Sequence, residues 1–179
     1  MKSIRLHLAL IGLIFAIASC SAEAPSTTQL VAVDHYFPVK IGPSVAQLQL
    51  ALSDAERSKG LMFRDPLAQD HGMCFIFETP AARGFWMQNT RIPLDIGYFD
   101  ASGRLLEVHP LYPYDEMPVR SRSHAVLIAI EMSQGWYAEN EIKPGARINM
   151  AAIRQAIQQR GQPLERFQIQ MPEVPSSAQ

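Results

Sequence analysis

Cysteine is scarce in this chain of 179 residues, which carries only Cys20 and Cys74. Cys20 ends an apolar N-terminal segment and is expected to be modified there, so no internal disulfide is expected. Cys74 lies in the apolar run of residues 73–77, where a thiol usually packs as a small hydrophobic group. We therefore predict that Cys74 is a buried core residue; a reactive thiol is the alternative.

The sequence also lacks the motifs by which several enzyme classes are recognised. It contains no nucleophile elbow, no paired-histidine metal motif and no glycine-rich phosphate loop, and its five histidines stand singly. Met62, Met73 and Met87 would suit Cu(I) together with Cys74 and His71, but these methionines lie close to Leu, Phe or Trp, as packing residues do. We therefore predict no metal site and no cofactor.

A clustered positive charge is missing as well. The chain has 16 basic and 17 acidic residues, and loss of an N-terminal segment with Lys2 and Arg5 would leave 14 basic residues and a net charge of −3. A phosphate backbone requires a clustered basic face, whereas the arginines here are scattered among acidic residues. No nucleic-acid partner is expected.

The N-terminus has the pattern of an export signal. Lys2 and Arg5 precede an almost wholly apolar run, residues 8–18. This run is shorter than the roughly 20 apolar residues that a membrane-spanning helix needs, so cleavage is expected rather than retention as a membrane span. We predict that residues 1–19 are a signal peptide.

The residues around the expected cleavage site, Ile17-Ala18-Ser19-Cys20, resemble the lipobox of bacterial lipoproteins. This resemblance implies that Cys20 is lipidated and that the protein is exported and anchored to a membrane of the cell envelope. Ser21 stands where aspartate retains lipoproteins at the inner membrane, so an outer-membrane anchor facing the periplasm is favoured. Ordinary secretion without lipidation is the alternative.

The chain after the signal peptide has the size of one domain. Strand-length segments of alternating or continuous apolar residues recur along it, at 45–52, 73–77, 84–87, 94–99, 105–109 and 125–131. Ser53 and Glu56 form a capping-box pattern for a short helix that Gly60 ends, and residues 100–103 suit a hairpin turn. A second, amphipathic helix is predicted over residues 150–160.

These segments predict a mainly β fold, a compact sandwich-like or barrel-like single domain with a short helical insert and one C-terminal helix. The predicted divisions of the mature chain are 20–44 for the lipidated cysteine, tether and lead-in, 45–150 for the β domain, 151–171 for the C-terminal helix and extension, and 172–179 for a disordered tail.

Four motifs carry a resemblance to a known family: ERSKGLMFR at 56–64, GM at 72–73, FWMQNT at 85–90 and PLDI at 93–96. Together they resemble the bacterial and archaeal family catalogued as domain of unknown function 192, over about residues 45–148. Cys74 departs from the aliphatic residue usual in that family, and residues 128–132 are a loose version of its valine-leucine-glutamate run. The resemblance implies a β-sandwich-like fold and no established activity.

Trp86, Asn89 and Thr90 are candidate ligand-binding residues, because they place an aromatic ring and two hydrogen-bonding side chains where a strand passes into a loop. The alternative is structural. In that case Trp86 is a core residue with its indole N–H satisfied internally, while Asn89 and Thr90 form a turn.

Asp95 lies in an otherwise apolar strand, where a carboxylate must face solvent or be paired. Arg57 and Arg64 are its expected partners. The resulting ion pair would either fix the short helix against the sheet or line a ligand cleft, which makes these three residues further binding candidates.

Glu131 ends an apolar strand and is expected to be solvated. Asp95 and Glu131 are nevertheless the pair that we would nominate as catalytic, since glycosidic or related hydrolysis requires two carboxyl groups facing one cleft. Two functions therefore stay open. The preferred one is a non-enzymatic envelope module that binds a small molecule or an envelope protein, and the alternative is a hydrolase-like enzyme that uses the two carboxylates.

Overall fold

The computed structural model describes residues 30–170. The predicted signal peptide, the lipidated Cys20 and the predicted tail at 172–179 lie outside the described residues. Within that range, no helix is both long enough and apolar enough to cross a bilayer.

Eight strands and three helices follow one another along the described residues. The strands are β1 (Phe37–Ile41), β2 (Ser44–Ala51), β3 (His71–Ala81), β4 (Gly84–Phe85), β5 (Leu94–Phe99), β6 (Leu105–Leu111), β7 (Val119–Arg120) and β8 (Val126–Ser133). The helices are α1 (Asp54–Lys59), α2 (Trp136–Glu139) and α3 (Met150–Gln159), and a 3-10 turn covers Leu164–Arg166.

Six of the strands form one mixed sheet in the order β1-β2-β3-β8-β5-β6, and β4 pairs with β7 in a separate two-stranded sheet. Strands β2 and β3 are parallel, and the crossover connection that this requires contains α1. The other neighbouring pairs are antiparallel. Strands β5 and β6 form the predicted hairpin, in which Gly103 N donates to Asp100 O at 3.0 Å.

The sheet is covered on both faces, so β8 is buried from Val126 to Met132 and β3 from Gly72 to Ile76. One face packs against α2 and α3 and includes Leu50, Ile130 and Met132. The other face includes Phe75 and Tyr98 and lies under β4, β7 and the loops that follow α1 and β4. Cys74 is fully buried, as predicted.

The prediction of a mainly β domain with a short helical insert and a C-terminal amphipathic helix is confirmed. The six-stranded sheet does not close into a barrel, and the arrangement is that of a sandwich-like domain. Helix α3 buries Ile153, Ala156 and Ile157 on one face, and Asn149 caps it by accepting from Ala151 N at 3.0 Å.

Four described elements were not predicted, one of which is the 3-10 turn within the expected C-terminal extension. Strand β1 lies in the segment expected to be a lead-in, α2 is only four residues long, and β7 has two residues and pairs only with β4. The strand predicted over residues 84–87 covers only Gly84–Phe85 in the structure. The strand predicted to end at Glu131 continues to Ser133, so Glu131 lies within the strand and not at its end.

Candidate functional site

A groove runs across the second face of the sheet, between the end of α1 and the segment Phe85–Trp86. Glu131 forms the floor of its narrow end, which has a cavity volume of about 30 Å³. The walls of this end include Leu61, Phe75 and Thr90. The groove then widens to about 250 Å³ and shares Arg57, Ser58, Phe85 and Trp86 with the narrow end. We call this feature the Glu131 groove.

Helix α1 forms one wall of the groove, and its own sequence fixes where it begins and ends. The side-chain oxygen of Ser53 accepts from Glu56 N, and the Glu56 carboxylate accepts from Ser53 N at 2.8 Å, which completes the predicted capping box. Gly60 ends the helix with a φ of +47°, a backbone conformation that favours glycine. Arg160, which follows α3, pairs with Glu56 and anchors the helix from the other side.

Arg57 fastens α1 to the sheet below it. Its guanidinium donates to Leu52 O at 2.8 Å, to Ile76 O at 2.9 Å and to the carboxylate of Asp54 at 2.6 Å. The side chain is only 13% exposed. Because two of these acceptors are backbone carbonyls of the sheet region, the position of the α1 wall is tied to the strands.

Aromatic rings form the opposite wall. Phe85 meets Phe75 edge to face with 4.9 Å between ring centroids, and Tyr98 donates to Val119 O at 2.8 Å, which holds the β4–β7 sheet over the core. Trp86 follows Phe85 and is 47% exposed. The structure gives its indole N–H no hydrogen-bond partner among residues 30–170, so the expectation of a core tryptophan is wrong.

Glu131 is 4% exposed, although it was expected to be solvated. Its neighbours in the sheet are Met73 on β3 and Ile96 on β5, both of them buried and apolar. Among the described residues no side-chain or backbone group donates a hydrogen bond to its carboxyl group. Burial raises the pKa of Glu131 to about 8, so at neutral pH the group is mostly a protonated acid.

The wide end of the groove is lined by charges of both signs, because Asp54 and Arg57 both face it and pair with each other at 2.6 Å. Arg83 lines an adjoining depression beside Arg57 and Phe77. The guanidinium carbons of Arg57 and Arg83 lie 5.4 and 3.8 Å from the centroid of the Phe77 ring. Burial and the nearby charge of Arg57 lower the pKa of Arg83. The Nε atom of Arg83 is buried without a hydrogen-bond partner in the described part of the chain.

Comparisons with known proteins identify the chain at the level of family. A model of the DUF192 family, described as "Uncharacterized ACR", matches residues 38–150. The chain belongs to the DUF192 family. No curated protein matches it. The family match includes both walls of the groove and its floor, so the groove is part of the DUF192 domain.

Two crystal structures are similar to this DUF192 protein. One is a Novosphingobium aromaticivorans DSM 12444 protein of unknown function, with 32% identity, a TM-score of 0.61 and coverage of 77% of this chain and 99% of that chain. The other is a Sinorhizobium meliloti 1021 protein provisionally named a transcription regulator, with 28% identity, a TM-score of 0.61 and coverage of 64% and 92%.

The two carboxylates nominated as a catalytic pair do not share a cleft in the DUF192 protein. Asp95 pairs in register with Met132, whereas Ile96 pairs with Glu131. Because paired residues of antiparallel strands point to the same face and successive residues alternate, Asp95 and Glu131 project from opposite faces of the sheet. The prediction of a shared catalytic site is therefore wrong.

The prediction that Asp95 forms an ion pair with Arg57 or Arg64 is also wrong. The Asp95 carboxylate accepts from Gly135 N at 2.8 Å, next to the start of α2, and burial raises its pKa while this hydrogen bond opposes the rise. Arg64 instead donates to the side-chain oxygen of Gln49 at 2.6 Å. Asp95 thus holds the β8–α2 turn on the far side of the sheet.

The remaining loop candidates are divided between two places. Thr90 lines the Glu131 groove and is 5% exposed, and its backbone N–H closes a turn onto Met87 O at 3.0 Å, as the structural alternative predicted. Asn89 has a φ of +55° and faces a separate surface depression beside Phe63 and Tyr114. Of the six binding candidates, Arg57, Trp86 and Thr90 meet at the groove.

Phe85 also lines the groove, and Arg83 lines an adjoining depression; neither residue was singled out from the sequence. Phe85 lies within the family motif that contains Trp86, so its proximity to the site could have been inferred. Arg83 could not, since its position against Phe77 depends on the fold of the β3–β4 connection. Within residues 30–170, no three His, Cys, Asp or Glu side chains cluster as metal ligands would.

Proposed function

We propose that this DUF192 protein is a non-enzymatic module of the cell envelope that binds a small molecule in the Glu131 groove. The observation that carries the proposal is Glu131 itself. A carboxyl group that is buried without a hydrogen-bond partner from the described protein lowers the stability of the fold. A ligand that supplies the missing partner recovers that free energy on binding.

The shape of the groove supports the same function. Small-molecule sites are concave, largely apolar and equipped with a few polar groups that orient the ligand. The narrow end has aromatic and aliphatic walls with one acid at its floor, and Arg57 and Lys59 also line it. The half-exposed Trp86 offers a ring surface at its border with the wide end. The hydrolase considered above would use Asp95 with Glu131, and Asp95 lies on the other face of the sheet. The other carboxylate that lines the groove, Asp54, is paired with Arg57.

A ligand screen tests the proposal. Thermal unfolding of the full-length protein in detergent, measured against amines, amino acids, sugars, peptidoglycan fragments, lipids and nucleotides, should yield a compound that stabilises the protein by about 2.7 kcal/mol when present at 100 times its Kd. Trp86→Ala should abolish that stabilisation, because the ring forms part of the wall that the ligand contacts.

Tyr112→Ala is the matched control, since Tyr112 is also an exposed aromatic residue but does not line the groove. The control should retain the stabilisation. A hit that survives Trp86→Ala, or a screen without any hit, would count against a small-molecule site in the groove and would favour an envelope protein as the partner.

The location of the module rests on the N-terminal motif. We propose that Cys20 carries the lipid and that the protein is held on the outer membrane, facing the periplasm. Cys20→Ala should move the protein from the membrane fraction to the soluble fraction of the cell envelope and should abolish incorporation of labelled fatty acid, because the anchoring acyl chains are attached to that thiol. Cys74→Ala is the control, and fatty-acid labelling that persists without Cys20 would refute the anchor.

A further inference from the structure

We propose, on the basis of the proposed function, that the ligand of the Glu131 groove is a monocarboxylate with an apolar tail. Its carboxylate lies in the narrow end and accepts hydrogen bonds from the Glu131 acid, from the ammonium group of Lys59 and from the backbone N–H of Leu61. All three residues line the narrow end. The tail lies along the aromatic wall toward Trp86.

Glu131 can donate a hydrogen bond because its surroundings keep it uncharged. It is 4% exposed, lies between Met73 and Ile96 in the sheet, and accepts no hydrogen bond from any described group. A carboxyl group in such a place keeps its proton, since nothing balances its charge. Because Glu131 lines the cavity, its O–H is available to a ligand there, and a charged acceptor makes the stronger hydrogen bond.

The backbone at the end of α1 supplies a second donor. The neighbouring N–H groups are paired, that of Gly60 with Glu56 O at 2.9 Å and that of Met62 with Lys59 O at 3.1 Å. The N–H of Leu61 has no acceptor among the described residues, although Leu61 is only 3% exposed and lines the narrow end. Buried N–H groups are rarely left without an acceptor, so this one points to a ligand that provides it.

Lys59 gives this end of the groove an unbalanced positive charge. Its side chain is exposed and forms no ion pair with another residue of the described range. Arg57, the other basic residue of the narrow end, is already paired with Asp54. Since Glu131 is uncharged, the narrow end attracts an anion and repels an ammonium group.

The dimensions of the groove restrict the kind of anion. A cavity of about 30 Å³ has room for about two water-sized atoms, which matches the two oxygens of a carboxylate and is too small for the three of a phosphonate. In the wide end, Phe77, Phe85 and Trp86 supply aromatic surface, while the charges of Asp54 and Arg57 balance each other. The rest of the ligand is therefore expected to be apolar and uncharged.

The groups around Glu131 leave its own ionisation as the event coupled to binding. The titratable and charged side chains near it are Arg57 and Lys59 of α1, Tyr98 of β5, His109 with Glu107 of β6, and Tyr137 of α2. Burial raises the pKa of Tyr98 and of Tyr137, so both phenols stay neutral. His109 is paired with Glu107 at 2.7 Å and lies two strands away from Glu131.

Calorimetry of the full-length protein in detergent with straight-chain carboxylates, from acetate to hexanoate, tests the proposal. Affinity should rise about fourfold with each methylene group that the apolar wall buries. It should fall about tenfold between about pH 7 and about pH 9, because Glu131 loses the proton that it donates. At about pH 9, binding should take up about one proton, since the ligand selects the protonated form.

Matched ligands and variants separate the parts of the proposal. The amide, amine and phosphonate of the same chain length should bind about tenfold more weakly or less. Glu131→Leu should weaken carboxylate binding about tenfold at neutral pH and remove its pH dependence, and Lys59→Met should weaken it at every pH. Lys40→Met, a change at an exposed lysine of β1 that does not line the groove, should do neither.

Three results would overturn the carboxylate while leaving the groove as a binding site. The amide could bind as tightly as the carboxylate with a flat pH profile, or Glu131→Leu could leave carboxylate binding unchanged. The third is no binding of any carboxylate when the ligand screen has yielded a compound that depends on Trp86. If neither the series nor the screen yields a compound that depends on Trp86, the proposed function fails together with the inference.

Discussion

At pH 8, Glu131→Gln is expected to be more stable than the wild-type protein by about 4 kcal/mol, whereas at pH 4.5 the two should differ little. Burial raises the pKa of Glu131 from 4.5 to about 8. In the wild-type protein the folded state therefore keeps a proton that the unfolded state releases above pH 4.5. The free energy of unfolding of the wild-type protein therefore falls as the pH rises from 4.5 to 8. The amide of the Glu131→Gln variant does not ionise, so the variant does not lose this free energy.

Urea unfolding at pH 4.5, 6 and 8 measures the effect. Glu165→Gln, a change of the same kind at an exposed residue of the 3-10 turn, is the control and should shift stability by no more than about 0.5 kcal/mol. If the free energies of unfolding of the wild-type and Glu131→Gln proteins change in parallel across this range, the carboxyl group titrates normally. Glu131 would then not be an unpartnered buried acid at the floor of the groove.

Gly72→Ala is expected to destabilise the fold by about 3 kcal/mol or more and to lower Tm by roughly 10 °C. Gly72 on β3 pairs with Met132 on β8, and a Cβ atom at this position would overlap the carbonyl oxygen of Glu131 and the sulfur of Met132. The carbonyl belongs to the backbone of a central strand, so it cannot move aside without separating the two strands that carry the floor of the groove.

Gly84→Ala is the control for this substitution. A Cβ atom there would meet only side-chain atoms, the nearest being Arg120 Cγ at 3.3 Å, which belongs to a flexible side chain. The control should unfold within a few degrees of the wild-type protein in a calorimetric scan. Equal melting temperatures for Gly72→Ala and Gly84→Ala would show that β3 and β8 are not as closely packed as the structure has them.

Gly72→Ala tests the packing of β3 against β8 beneath the groove, whereas Glu131→Gln tests the ionisable group at the groove floor. Gly72 allows β3 and β8 to approach, and that approach places the buried Met73 beside Glu131, which is only 4% exposed. The same burial that costs stability makes the acid responsive to a ligand, because any group that satisfies the carboxyl recovers part of the cost. A more stable Glu131→Gln protein that no longer binds would demonstrate this exchange directly.

Local sequence signals predicted the elements that depend on neighbouring residues. Ser53, Glu56 and Gly60 specify α1 through hydrogen bonds and backbone angles within a few residues. The turn at Asp100–Gly103 brings β5 and β6 together for the same reason, and the family motifs located the segment that contains Trp86. Strand β1 was missed because it contains Pro38, a residue that argues against a strand, and α2 because four residues are too few for a helical pattern.

The candidate site was predicted less well, because its residues come together from segments that are far apart in the sequence. Asp95 and Glu131 are both acids in apolar strands, and the sequence does not distinguish one face of a central strand from the other. Asp95 and Glu131 lie on opposite faces of the sheet because of the register between β5 and β8. A shift of that register by one residue would bring the two side chains to the same face. Glu131 was expected in solvent because the two strand residues that follow it were not recognised.

By itself, the sequence determined the mainly β class, the position of α1, the main hairpin and the membership of the DUF192 family, because each depends on local hydrogen bonding, alternation or a contiguous motif. Only the tertiary structure decided that Glu131 is buried alone and that Arg57 and Arg83 meet at one ring. Burial and electrostatic proximity are properties of surfaces that pack together, and here those surfaces come from segments far apart in the chain.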